Sequence, residues 1–536
     1  MRTLVALSIA VAACAPARPP SGAPKPASAR RELTPDEQVE HVLSRLTFGP
    51  RPGDAERLKA FGVDRWIAAQ LAPSNISDSV LNARLAALPL WPVPAAEIPS
   101  VALALSAANR PVGTQRVDTI KGANGAISLR ISGTTFIMQL NGASQAQIAK
   151  VMFAEHSERQ LNEIVTDFWE NHFSVYAGKV PSSDAILIWD RDVIRPHALG
   201  KFRDLLGATA HSAEMMHYLD NHLSRANALN ENYAREIMEL HTLGVDGGYT
   251  QQDVVEVARA FTGWTLETKQ SAPPKGPDGA PIRGNPSQRV FTFNAAAHDT
   301  NVKVVLGHVL RAGRGIEDGE DVLDILARHP STAKYIASKL ARRLVSDAPP
   351  PALVDRAAAT FTRTDGDIAE VVRTIVTSPE FFSRAAFRAK TKTPFEFLVS
   401  ARRVLETPAD TTLQTASQLA GQGMPIFGRL TPDGWPDRGE AWLNSGTIMS
   451  RILYGADIAA GKAQPFSAND WRGWNALGDK TTPDQVDGIL KLFGSTDERM
   501  RRTLVSYKYE SAPRDGQGRL REMVAMMLGS PAFQQR

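Results

Sequence analysis

The sequence predicts a mainly α fold: one large single helical body with a small β-hairpin element and long loops. Three observations predict it. Apolar residues recur at three- and four-residue spacing over much of the chain after residue 33, so one face of each helix is set for burial. Start and stop signals bracket these runs, as at Thr34-Pro35-Asp36-Glu37 and at Gly244. Two-residue alternation is best developed at Ala126–Ser132, which Gly133-Thr134 can turn into Thr135-Phe136-Ile137, and Val290-Phe291-Thr292-Phe293 reads as a strand or loop. No fixed-period repeat is present, which disfavours a solenoid.

The first element is a secretory signal. Arg2 precedes the apolar run Leu4 to Ala13, too short for a permanent membrane span, so residues 1–13 read as a signal peptide. Val11-Ala12-Ala13-Cys14 resembles the bacterial lipobox, which makes Cys14 the expected site of lipidation. Ala15 rather than Asp follows it, which favours the outer membrane in enterobacteria-like sorting; cleavage with release into the periplasm or secretion is the alternative. Residues 14–32 are rich in Pro, Ala and Ser and read as an extended tether. The helical domain is expected over 33–536.

Within that domain, Thr34 caps a first helix whose apolar face is Val39, Val42, Leu43 and Leu46, and two more helices open around Gly62. From Ser157, the spacing of Leu161, Ile164, Val165, Phe168, Trp169, His172 and Phe173 predicts a largely buried helix. Another is expected from Asn230 to Leu243, and Thr250 with Asp253 starts the next. Residues 268–289 carry Pro273, Pro274, Pro277, Pro281 and Pro286 and read as an exposed loop. Helices follow at 318–327, 330–345, 352–362 and 368–377. A Gly- and Trp-rich loop over 421–442 then precedes helices near 443–459, 482–492 and 520–528.

Composition excludes several function classes. With 536 residues, 43% of them hydrophobic and 22% charged, the chain is long and apolar enough to bury a large core. Lys and Arg total 61 against 57 Asp and Glu, an excess too small for a nucleic-acid partner to be expected. One Cys allows no intrachain disulfide, and its expected lipidation argues against cysteine catalysis. There is no HExxH, no Gly-x-Ser-x-Gly, no phosphate loop and no dinucleotide fingerprint.

Several segments together resemble a known family. They are Arg45-Leu46-Thr47-Phe48-Gly49-Pro50, Phe168-Trp169-Glu170-Asn171-His172-Phe173, Asn230 to Leu240, Ala258-Arg259-Ala260-Phe261-Thr262-Gly263-Trp264, His298-Asp299, Lys392-Thr393-Pro394-Phe395-Glu396-Phe397 and Asp433-Gly434-Trp435-Pro436. In this order they resemble the bacterial domain-of-unknown-function family numbered 1800. The resemblance implies an exported, mostly helical protein, often encoded beside a second exported family of sulfatase-like appearance. It carries over no catalytic residue.

Two groups of residues stand out for chemistry. Asn232, Glu236 and Glu239 fall at i, i+4 and i+7 on one helix face, where two carboxylates can bind a hard cation or share a proton. With His172, His241 and His298 they form a mixed nitrogen and oxygen set suited to a divalent metal, provided that the fold gathers them. The competing reading is structural: ion pairing for the acids, core hydrogen bonding for His172, a helix-end role for His241 and loop fixing for His298. The second group is Trp435 and Trp442, which on a glycine-bent backbone can wall a groove for sugar rings or extended peptide, or plug the loop onto the core.

Two functions follow from these readings. One is a lipid-tethered binding or assembly protein of the cell envelope, with the membrane as partner through its anchor and an envelope protein or glycan as ligand. The other is a metal-dependent hydrolase or oxidoreductase using the His and Glu set.

Overall fold

A computed structural model describes residues 31–108, 117–121, 127–131, 134–137, 141–275, 279–460, 462, 472–509 and 516–536. The signal run, Cys14 and the tether up to residue 30 lie outside the described residues. What is described is mainly helical, with three small antiparallel sheets. The expected hairpin forms as Ile127–Ile131 against Thr134–Ile137, joined on its other edge by Val117–Lys121. Among the described residues, no helix is long and apolar enough to cross a membrane.

The local signals act as their chemistry requires. Thr34 and Glu37 close a capping box on the Pro35–Leu46 helix, Thr250 and Asp253 do so on Gln251–Ala260, and Thr393 and Glu396 on Pro394–Val404. Each pair supplies acceptors to amide groups that the first turn leaves unbonded. The 157–173 expectation resolves as the Gln160–His172 helix, with Leu161, Ile164, Val165, Phe168 and Trp169 all buried.

Two expectations need correction. The loop expected over 268–289 is shorter, because the Trp264–Gln270 and Ser287–Phe293 strands pair with Trp264 opposite Phe293 and Gln270 opposite Ser287. The clustered prolines have no amide proton to donate, and the described residues 271–275 and 279–286 lie outside the two strands. The helix expected from 230 to 243 is α-helical only over Asn232–Glu236 and continues as a π-helical turn over Ile237–Thr242. There the Leu243 amide bonds the Met238 carbonyl at 2.8 Å, five residues back. A second π-helical turn, Trp189–Ile194, runs into Arg195–His197.

One continuous core joins distant parts of the chain, from Leu33 and Val42 through Trp169, Trp189 and Trp264 to Leu528 and Phe533. Arg45, fully buried, ties these parts together by donating to the carbonyls of Leu344, Val345, Ala386 and Arg536 at 2.6 to 3.3 Å. The extended segment Lys390–Lys392 pairs antiparallel with Gln534–Arg536. Residues nearly 150 positions apart thus meet beside the Gln160–His172 helix, where the chain opens a cleft.

Candidate functional site

The cleft, a narrow one with about 60 Å³ of space open to water, is walled by Phe395, Phe427, Trp435 and Trp442 over a charged floor. Its floor begins on the Gln160–His172 helix, where Asp167, Glu170 and Asn171 share one side at i, i+3 and i+4 spacing. Lys150, from the Gly142–His156 helix, reaches Asp167 at 2.8 Å and also pairs with Glu170. Arg343, in the last turn of the Pro330–Leu344 helix, contacts Asp167 at 2.9 Å and Glu396 at 2.9 Å. Arg536 contacts the same Glu396 oxygen at 2.9 Å.

Glu396 therefore has two tasks. One oxygen accepts the Thr393 amide in the capping box, and the other lies between two guanidinium groups. Burial would raise its pKa, but Arg343 and Arg536 outweigh burial and hold it down at about 2. Glu170 shows the opposite outcome. Burial, with the Asp190 carboxyl beside it, pushes Glu170 up to about 8 despite Lys150. Asp190 comes from the π-helical turn and meets Arg195, which also holds Glu163. Lys390 donates to the Asp437 carbonyl at 2.7 Å and pairs with Asp347, yet burial lowers its pKa to about 8.

The aromatic wall is docked by hydrogen bonds. Asn171 donates to the Trp435 carbonyl at 2.9 Å and accepts the Trp435 amide at 2.6 Å. Gly434 permits this approach, because its φ is +75° and a Cβ there would sit 2.2 Å from the Asn171 carbonyl oxygen. Trp435 and Trp442 stand 6.2 Å apart between ring centroids, tilted by 56°. Trp442 is buried and bonds the Pro436 carbonyl, while Trp435 remains half-buried with Arg429 over its ring. Of the residues expected from sequence, these two line the cleft.

The expected metal set is only partly gathered. His172 and His241 are buried with ring centroids 6.1 Å apart, and His172 Nε2 donates to the His241 carbonyl at 3.0 Å. Burial keeps both neutral, with His241 lowered to about 3. Glu239 accepts from the Tyr249 hydroxyl at 3.3 Å, and the half-buried Glu236 is raised by burial and by Glu239. The π-helical turn replaces the regular stripe that the α-helical spacing promised. His298 bonds the Thr262 carbonyl at 2.7 Å and lies 3.3 Å from Asp318, in surroundings of its own. Among the described residues, no three or more His, Cys, Asp or Glu side chains are disposed to hold a metal ion.

Sequence reasoning missed the floor of the cleft. Glu170, Asn171 and Glu396 lie inside motifs already singled out for their family resemblance, but their partners Lys150, Arg195, Arg343 and Arg536 carry no local signal. The one available clue was polar: Asp167, Glu170 and Asn171 recur on a helix otherwise read for its apolar face.

The fold and cleft define a mainly helical protein with an aromatic-walled, ion-paired groove. Over residues 41–535 the chain matches the family described as Protein of unknown function (DUF1800), and it belongs to that family. No curated protein and no solved structure matches it.

Proposed function

We propose that this protein is a ligand-binding protein of the cell envelope, held to the membrane by lipid on Cys14 and taking a glycan chain into the Trp435–Trp442 cleft. The observation that carries the reading is the cleft itself. Indole and phenyl faces suit the apolar faces of sugar rings, while charged groups below suit polar substituents. Lys150, Arg343, Lys390, Arg429 and Arg536 set five cations among four carboxyls, Asp167, Glu170, Glu396 and Asp437. Lys390 is itself paired with Asp347 and Arg429 with Asp433, and the guanidinium and ammonium donors of the lining suit carboxylate or hydroxyl groups on a glycan.

Two measurements test the reading. Co-sedimentation with purified peptidoglycan sacculi, an acidic envelope glycan, should retain the wild-type protein and lose the Trp435→Ala variant at least tenfold. Equal retention of both would remove the cleft from the reading. Replacing Cys14→Ser should move the protein from the membrane fraction to the soluble fraction; unchanged membrane association would end the lipid-anchor proposal.

A further inference from the structure

Beside the cleft the chain forms another and roomier groove, with about 540 Å³ of space open to water against about 60 Å³ in the cleft. One wall is the Gln414–Gly421 helix with the Gln422 that follows it, and the other is the Ser445–Ala459 helix. Gln414, Gln418 and Gln422 recur at i, i+4 and i+8, so three side-chain amides share one side of the first wall. Gly446, Met449, Ser450, Leu453, Tyr454 and Asp457 recur at three- and four-residue spacing on the second. Met449 and Leu453 are 56% and 55% exposed, and Ile448 and Ile452 beside them are 39% and 42% exposed. Four large apolar side chains left contiguous on one helix mark a surface that a partner covers. They present roughly a few hundred Å², short of the ~800 Å² that each copy buries in a stable dimer.

The two walls suit a ligand with amide groups along one side and apolar groups along another. Gln418 and Gln422 hold Oε1 away from solvent with no donor to meet it. Turning either amide toward a ligand therefore breaks no hydrogen bond to that oxygen, and each amide can both donate and accept. Successive glutamines stand ~6 Å apart along the helix axis. An extended peptide repeats its like-facing backbone groups every ~6.6 Å, nearly in step with the three amides. One edge of its backbone can meet the glutamines while side chains of one face lie on Met449 and Leu453. From Gln414 to Gln422 the wall runs ~12 Å, about four extended residues. The charged groups of the lining, Asp457 and Lys462, belong to the end of the second wall, which leaves the rest suited to an uncharged backbone.

The groove continues the cleft along both walls. Gln422 lines the groove and Met424 the cleft, while Trp442 lines the cleft and Gly446 the groove. Chain geometry alone keeps the first pair within about 7 Å and the second within about 14 Å. We propose that the groove binds an extended peptide of about four residues attached to the glycan in the cleft, so that the ligand is a peptide-bearing glycan held at both its sugar and its peptide. The proposal rests on the glycan-binding reading above and adds the peptide to it. A sugar seated in the cleft carries its own peptide substituent to the mouth of the groove, and the second contact is then intramolecular.

The experiment retains the full chain on purified sacculi and displaces it with soluble probes. These are glycan fragments carrying their peptides, the same fragments after an amidase has removed the peptides, and the released peptides alone. Expected is displacement by the peptide-bearing fragments at a concentration about tenfold or more below that of the stripped ones. Leu453→Glu and Gln418→Ala should each bring the two fragments within about threefold of one another, with the stripped fragments acting as they do on the wild-type protein. Melting curves identify a variant that has lost its fold, and Met449→Gln, at another half-exposed position, then replaces it. Equal displacement by both fragments, with Trp435→Ala still lost from sacculi, would overturn the peptide groove and leave the glycan reading intact. Displacement by released peptides as strong as by the peptide-bearing fragments, with Trp435→Ala fully retained, would overturn the glycan in the cleft and with it the two-part ligand. A wild-type protein that sacculi do not retain would overturn both.

Discussion

Two helix faces carry closely spaced acids in this molecule, and they behave in opposite ways. Asp167 and Glu170 sit on an unbroken α-helix and are met by Lys150, Arg343 and, through Asp190, by Arg195. Glu236 and Glu239 span the change from α-helix to π-helical turn, are half-buried, and have the Tyr249 hydroxyl as a partner for Glu239. Two acids on one helix are thus ordinary until distant parts of the chain bring charges to them. Segments far apart in sequence do this for the first pair, and the same pairing forms the floor of the cleft walled by Trp435 and Trp442.

The strongest way to break this contrast is to remove the carboxylate at the centre of the network. Glu396→Ala leaves Arg343 and Arg536 buried together without their shared anion and should cost about 3–5 kcal/mol in urea unfolding. An effect below about 1 kcal/mol would show that the floor is not held by its ion pairs.

Gly434→Ala tests whether the aromatic wall depends on the floor. Its positive φ and the nearby Asn171 carbonyl oppose a methyl group, so a loss of about 2–3 kcal/mol is expected. Limited proteolysis should then cut within 428–440, and wild-type resistance there would separate the wall from the floor.

A smaller effect is expected from pH. Glu170 has a folded pKa raised from 4.5 to about 8, so its stabilising contribution is complete below about pH 4.5 and is lost as pH rises toward 8. Glu396 is lowered to about 2, and its contribution is present above pH 4.5 and lost as pH falls toward 2. Melting temperatures should therefore decline at both ends, with Glu170→Gln flattening the alkaline side by about 1–2 kcal/mol. An unchanged alkaline limb in that variant would place the titrating group elsewhere.

The smallest effects belong to the second acidic face. Glu236→Gln and Glu239→Gln should each change stability by about 0.5 kcal/mol or less, and elemental analysis of protein purified without chelators should give the same metal content with and without His298→Ala. Near-stoichiometric metal lost on Glu236→Ala and His298→Ala would instead revive the metal set.

Local chemistry was legible where one short segment settles the outcome. The caps at Thr34 and Thr250 obey their own side chains, and the apolar spacing of Leu161 to Phe173 dictates which face is buried. The π-helical turn at Ile237–Thr242 was not legible, because α and π backbones share the same residue preferences and differ in which carbonyl each amide reaches. Glycine and tryptophan in one loop fit a groove wall or a plug on the core equally by type, and only the fold shows Trp442 buried and both rings lining the cleft.

By itself the sequence determined the mainly helical class, the family and the helices whose capping and apolar spacing stand out locally, such as Pro35–Leu46 and Gln251–Ala260, since spacing and capping act over a few residues. It also contains the signal-like run and Cys14 on which the anchor proposal rests. Only the tertiary structure decided that Lys150, Glu170, Asp190, Arg195, Arg343, Glu396 and Arg536 form one network. The reason is electrostatic: a charge acquires its ionisation and its role from the burial and neighbours supplied by the whole fold, and these bear no fixed relation to distance along the chain.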